Sequence, residues 1–283
     1  MNFHQNPITY VAQVNLKVAQ LQRAVTFYKE VLGFQVLSQT DQTAHLSADG
    51  QITLVMLEQI EGAIPKTSPT TGLYHFALLL PTRADLANIV NHLLQKEVRF
   101  ASSDHLVSEA LYLSDPDGNG IEIYADRNHS EWNWRGGEVE MTVDPLDFSD
   151  LLAEAGEEQW TRLPSHTVMG HIHLHVSNLV EAEQFYREGL GFDVVCRYGD
   201  QALFMSSGGY HHHIGLNTWA GVGAPSPKEK QVGLKAFSIQ FPNEAARNKV
   251  VEQLRQMGAF VSQEGEFYQT KDPSDNHIKL EVS

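Results

Sequence analysis

The chain has 283 residues, 42% of them hydrophobic, and a formal net charge of −15, enough for two ordinary globular domains or one large one. No apolar run approaches the ~18 residues of a membrane span, the first residues lack a basic-then-apolar leader pattern, and no Lys/Arg cluster is present to grip a nucleic-acid backbone. A lone Cys196 excludes an internal disulfide framework and points to the cytoplasm.

Residues 8–18 alternate as a strand. Residues 20–32 place Leu21, Ala24, Val25, Tyr28 and Leu32 at helical spacing, and Gly33 supplies the stop. Short strands follow at 34–40, 43–48 and 51–57, separated by Asp-Gln and Asp-Gly turns. The order is β-α-β-β-β. It recurs over 73–125 with a helix near 83–96, over 169–217 with a helix near 178–189, and over 234–282 with a helix near 243–257. Residues 126–167 match no module, and Leu146, Phe148, Leu151 and Leu152 predict a linker with a short helix.

The repetition is visible in the residues themselves. Phe27-Tyr28-Lys29-Glu30-Val31-Leu32-Gly33-Phe34 returns 158 residues later as Phe185-Tyr186-Arg187-Glu188-Gly189-Leu190-Gly191-Phe192. Asp115-Pro116-Asp117-Gly118-Asn119 returns 157 residues later as Asp272-Pro273-Ser274-Asp275-Asn276. Pro81 and Pro242 each close a strand ahead of a helix. The chain therefore divides into 1–125 (modules one and two), a linker at 126–167, and 168–283 (modules three and four).

A helix ending in FYxxxLGF, three strands, and a following module ending in DPDGNxIE resemble the glyoxalase, bleomycin-resistance and extradiol-dioxygenase superfamily of vicinal oxygen chelate proteins. Within about 240 residues of similarity, DHLVSEALYLSDPDGNGIEIY and YHHHIGLNTW look most like the bacterial catechol-2,3-dioxygenase group. The resemblance implies an α+β fold in which four βαβββ modules form two cup-shaped mixed sheets, with a metal in a cup.

The superfamily takes ligands from the first strand of a module and from a last-strand position seven residues after the Asp of DPDG. The first-strand positions are Gln13, His75, His171 and Ala236, and the last-strand positions of modules two and four are Glu122 and Lys279. Modules two and three together offer His75, Glu122 and His171, two imidazoles and one carboxylate, the set of mononuclear iron(II) oxygenases. Modules one and four offer no such set. Pairing two with three and one with four is therefore expected. A buried carboxylate at Glu122, between Ile121 and Ile123, needs a cation or a hydrogen-bond partner. His171, His173 and His175 share a strand face, and only the first fits the ligand position.

For acid–base chemistry the resemblance implies a His on the last strand of module three. Strand alternation puts His211 and His213 on one face and His212 on the other, and matching strand ends sets His213 level with Glu122, so His213 is the expected acid–base group. Tyr112, ten residues before Glu122, matches an active-site Tyr of those enzymes, and His105 is a candidate supporting residue. Trp132 and Trp134 either wall the pocket or pack between domains.

The implied activity is extradiol cleavage of a catechol or hydroquinone by O2 with Fe2+, Mn2+ being compatible with the same ligands. Two other classes remain open at this point: a glyoxalase-like isomerase or thiol transferase, which generally uses more carboxylate at its metal, and a metal-free binding or resistance protein, which has no need for the three ligands. Exposed sheet edges make a homo-oligomer an expectation.

Overall fold

The computed structural model describes residues 2–66, 69–156 and 160–282. Module one runs β1 (Tyr10–Val18), α1 (Leu21–Glu30), β2 (Gln35–Gln39), β3 (Thr43–Ser47) and β4 (Val55–Gln59). Module two follows as β5 (Gly72–Leu79), α2 (Arg83–Gln95), β6 (Ala101–Asp104), β7 (Ser108–Ser114) and β8 (Gly120–Asp126). The connecting segment holds a short hairpin, β9 (Trp134–Arg135) and β10 (Glu138–Val139), and α3 (Phe148–Leu152). Module three is β11 (Val168–His175), α4 (Leu179–Gln184) running into a π-helical turn at Phe185–Gly189, β12 (Asp193–Tyr198), β13 (Ala202–Ser206) and β14 (Ile214–Asn217). Module four is β15 (Gly233–Phe241), α5 (Glu244–Gln256), β16 (Val261–Glu264), β17 (Phe267–Lys271) and β18 (His277–Val282).

Two eight-stranded mixed sheets result. One has the order β16-β17-β18-β15-β1-β4-β3-β2 and the other β12-β13-β14-β11-β5-β8-β7-β6. Module one thus shares a sheet with module four, and module two with module three. Inside each module the first and last strands are parallel, which requires the intervening crossover helix. Between modules the first strands meet antiparallel, β1 on β15 and β5 on β11.

The helices bury one face against these sheets. Leu21, Ala24, Val25 and Tyr28 of α1 lie in the core, as their spacing predicts. Gly33 ends the helix at φ 87°, a conformation that favours glycine. A side chain there would also collide with the connecting segment, because a Cβ would lie 2.7 Å from Arg162 Cα.

The repeated motifs tie modules to each other. Tyr28 of module one donates to Asp115 Oδ2 of module two at 3.1 Å, and Tyr186 of module three donates to Asp272 Oδ2 of module four, also at 3.1 Å. Each Asp also accepts from backbone N–H groups of its own turn and from Asn119 or Asn276. These carboxylates are buried, and such saturation offsets the cost of burying charge. The most recognisable residues of the sequence therefore fix module docking and the turn that launches β8 and β18.

The connecting segment is more than a tether. Asp144 bridges to Asp104 at the outer edge of β6, covering an edge that would otherwise present unpaired backbone groups. Met141, Thr142 and Val143 reach the large cavity of the second sheet.

Candidate metal centre and its cavity

The sheet of modules two and three curls around a cavity of about 660 Å³, within the size range of small-molecule sites. Strand alternation supplies its floor. His75 on β5, His173 on β11, and Glu122 and Tyr112 on adjacent β8 and β7 all reach it. Gly120, opposite His75 on β8, leaves no room for a side chain, since a Cβ there would lie 2.0 Å from the Tyr74 carbonyl oxygen.

His75 and Glu122 line the floor with His75 Nε2 2.9 Å from Glu122 Oε2, and His171, which is not a lining residue, brings its Nε2 within 3.0 Å of the same oxygen. One donor atom from each of the three residues lies within 4.8 Å of the others, and all three residues are buried. Burial opposes the Glu122 charge, but the neighbouring imidazoles, His171 first, outweigh it and hold the carboxyl well below its usual value. Burial likewise lowers His171 despite the neighbouring Glu122, which favours the neutral imidazole that a metal requires. His75 Nε2 is buried without an aligned hydrogen bond. A buried polar atom without a partner, facing a carboxylate and a second imidazole, fits a divalent cation. His171 Nδ1 also lacks a partner, and the ring is held by its Nε2 contact with Glu122 and by packing on His212, with centroids 4.1 Å apart.

Tyr112 and His105 form a pair. Thr142 O lies 2.6 Å from His105 Nδ1, and Tyr112 Oη lies 2.6 Å from His105 Nε2. The carbonyl can only accept, so Nδ1 carries the hydrogen and Nε2 accepts from the Tyr112 hydroxyl. Burial, reinforced by the Glu122 charge, raises Tyr112 well above its ordinary pKa. Along β11, His173 and His175 are linked through Asn217: Nδ2 donates to His173 Nε2 at 2.9 Å, and Oδ1 accepts from His175 Nδ1 at 2.7 Å.

His213 is not where alternation predicts it. Its Nε2 donates to Phe3 O at 3.1 Å, its Nδ1 accepts from Ser207 N at 3.3 Å, and the ring packs against His4 and Tyr210. Both nitrogens are engaged and the residue is absent from the cavity wall. The cause is local. β14 begins at Ile214, and bends at His211 and His213 interrupt the regular two-residue period there. His212 lines the cavity instead. Burial, then the neighbouring His171 and His211, lowers it well below the usual histidine range.

Trp132 packs behind this wall, 5.6 Å from Phe3 and 5.1 Å from His211 between centroids, and Trp134 lies partly exposed on β9. Neither is among the cavity-lining residues, whereas Trp219 and Tyr74 are. The sequence held the signal for His212, a three-His run, but parity pointed to His213, which does not line the cavity. It held none for Thr142, which enters through the connecting segment.

The family model for the Glyoxalase/Bleomycin resistance protein/Dioxygenase superfamily matches residues 10–123 and 168–279. The chain is 46% identical over 269 residues to a catechol-2,3-dioxygenase of Bacillus subtilis, covering 94% of each. It is 32% identical over 154 residues to a biphenyl-2,3-diol 1,2-dioxygenase of Rhodococcus globerulus, covering 51% of this chain and 80% of that protein. Among solved structures, glyoxalase I of Zea mays superposes with a TM-score of 0.57 at 16% identity, covering 96% of this chain and 92% of that one, a similarity of fold.

Proposed function

Because the chain belongs to the glyoxalase/bleomycin resistance protein/dioxygenase superfamily, we propose that it is an extradiol dioxygenase that opens a catechol ring beside the diol with O2, at an Fe2+ held by His75, Glu122 and His171. The observation that carries this reading is the convergence of two buried imidazoles and one buried carboxylate, of which His75 and Glu122 line a 660 Å³ cavity. That is the ligand set of mononuclear iron(II) oxygenases, and Mn2+ accepts it as well. The strong similarity to a catechol-2,3-dioxygenase along almost the whole chain supports the same substrate class.

When bound, the metal supplies open positions for both oxygens of the diol and for O2, and it lowers the pKa of the phenol. The protein supplies the rest. Glu122 provides the one anionic donor. His212 takes a proton from a substrate hydroxyl at Nε2 and later returns it to the departing oxygen; a neutral imidazole in the cavity wall suits the first step. Tyr112, with its hydrogen committed to His105 Nε2, presents oxygen lone pairs to a substrate hydroxyl. Trp219 and Tyr74 offer apolar faces for the ring. The product is a muconic semialdehyde.

An aerobic assay with Fe2+-loaded protein and catechol tests this. Yellow product should form with one O2 consumed per catechol. Loaded protein that leaves both catechols and O2 untouched, while isomerising a glutathione hemithioacetal, would place the activity in the glyoxalase branch instead.

A further inference from the structure

Behind His212 runs a chain of hydrogen bonds that leads away from the cavity. His211 Nδ1 and His212 Nδ1 face each other at 2.8 Å, and His211 Nε2 lies 2.8 Å from Asp126 Oδ1. His211 is fully buried and Asp126 is partly exposed. Asp126 also accepts from Tyr210 at 3.2 Å, and Tyr210 is hydrogen-bonded to Tyr124 at 2.7 Å. The hairpin turn before β14 therefore docks onto the end of β8, four residues beyond Glu122.

We infer that Asp126 and His211 are positioning residues that hold His212 in a single tautomer, with the hydrogen on Nδ1 and the Nε2 lone pair presented to the cavity. An ionised carboxylate only accepts, so His211 Nε2 carries a hydrogen. A neutral ring at His211, with its hydrogen on Nε2, has a bare Nδ1, and across the 2.8 Å contact this arrangement makes His212 Nδ1 the donor. Neutral His212 is left with Nε2 unprotonated. That nitrogen has no hydrogen-bond partner among the described residues, and its ring forms part of the cavity wall. Without the fixed acceptor, His212 is free to place its hydrogen on Nε2, where it cannot take a proton from substrate. The logic matches that of a carboxylate orienting a catalytic imidazole in hydrolases. Here a second imidazole stands between, because the carboxylate at the end of β8 meets His211 rather than His212.

This inference rests on the dioxygenase reading for its consequence, but its first test needs no turnover. Nitrogen-15 spectra of the zinc-loaded protein, labelled at histidine, report which nitrogen of each imidazole carries hydrogen. Wild-type His212 should show Nδ1–H and a bare Nε2. His211→Phe, which keeps a ring but removes the acceptor, and Asp126→Leu, which removes the group orienting His211, should both shift population toward Nε2–H. In the iron-loaded variants kcat for catechol should fall about 10- to 100-fold, the scale for residues that orient a site group, with KM and iron content within about twofold of wild type. Wild-type His212 protonated on Nε2, or an unchanged tautomer in the variants, overturns the inference. Should buried His211→Phe fail to fold, partly exposed Asp126→Leu carries the same measurement. A protein with the expected tautomer but no ring cleavage would refute the functional reading and leave this one standing.

Discussion

Glu122→Gln isolates the charge at the candidate metal centre. The amide has nearly the shape of the carboxylate, so the cavity and the β7–β8 pairing of Tyr112 with Glu122 should persist. What is lost is one negative charge in a buried position, 2.9 and 3.0 Å from two imidazole nitrogens. Removing one partner from a buried charged pair costs about 3–5 kcal/mol, because the remaining charge is left uncompensated. At about 1.4 kcal/mol per decade, affinity for a divalent ion should fall by roughly two to three and a half decades. The assay is chelator competition followed by elemental analysis after dialysis, with ring cleavage measured on the same samples. Wild-type protein should retain close to one metal per chain and the variant only a small fraction. A variant that binds iron within about threefold of wild type would refute Glu122 as the anionic ligand, and with it the reason for a carboxylate buried between two isoleucines.

His212→Phe should keep the metal and lower kcat about 100- to 10,000-fold, whereas His213→Phe should leave kcat near wild type and cost about 1–3 kcal/mol in urea unfolding through its lost hydrogen bonds; the reverse pattern would restore the role to His213. Tyr112→Phe removes the hydrogen bond to His105 and should reduce kcat about tenfold, the worth of one such bond, with iron content unchanged in elemental analysis. Burial pushes the His4 imidazole down to about 4 from 6.5, against a hydrogen bond to Gly170 O that favours the charged ring. The folded state thus binds fewer protons than the unfolded chain, so the contribution is complete above pH 6.5 and is lost as pH falls toward 4. By pH 5 the loss is about 2 kcal/mol. Urea unfolding at pH 7 and pH 5 should show a smaller pH effect in His4→Gln than in wild type, and equal slopes would refute the assignment.

The sequence by itself determined the repeated βαβββ order and the α+β class, and it singled out His75, Glu122 and His171, which the structure brings together. Side-chain periodicity reports which face of an element is buried, and the duplicated motifs reveal the repeat without reference to space. Even the pairing of modules two and three followed from chemistry, since Ala236 and Lys279 leave no other complete set of donors, and the strand order of the second sheet agrees with it. Parity failed at residues 211–213. The two-residue period holds only where the chain is extended, and the bends before Ile214 turn His213 toward Phe3 and bring His212 to the cavity. Only the tertiary structure could bring Thr142 to His105 and Asp126 to His211. Those pairs are 37 and 85 residues apart in the chain, and their hydrogen bonds depend on loop paths and strand register that no local pattern encodes.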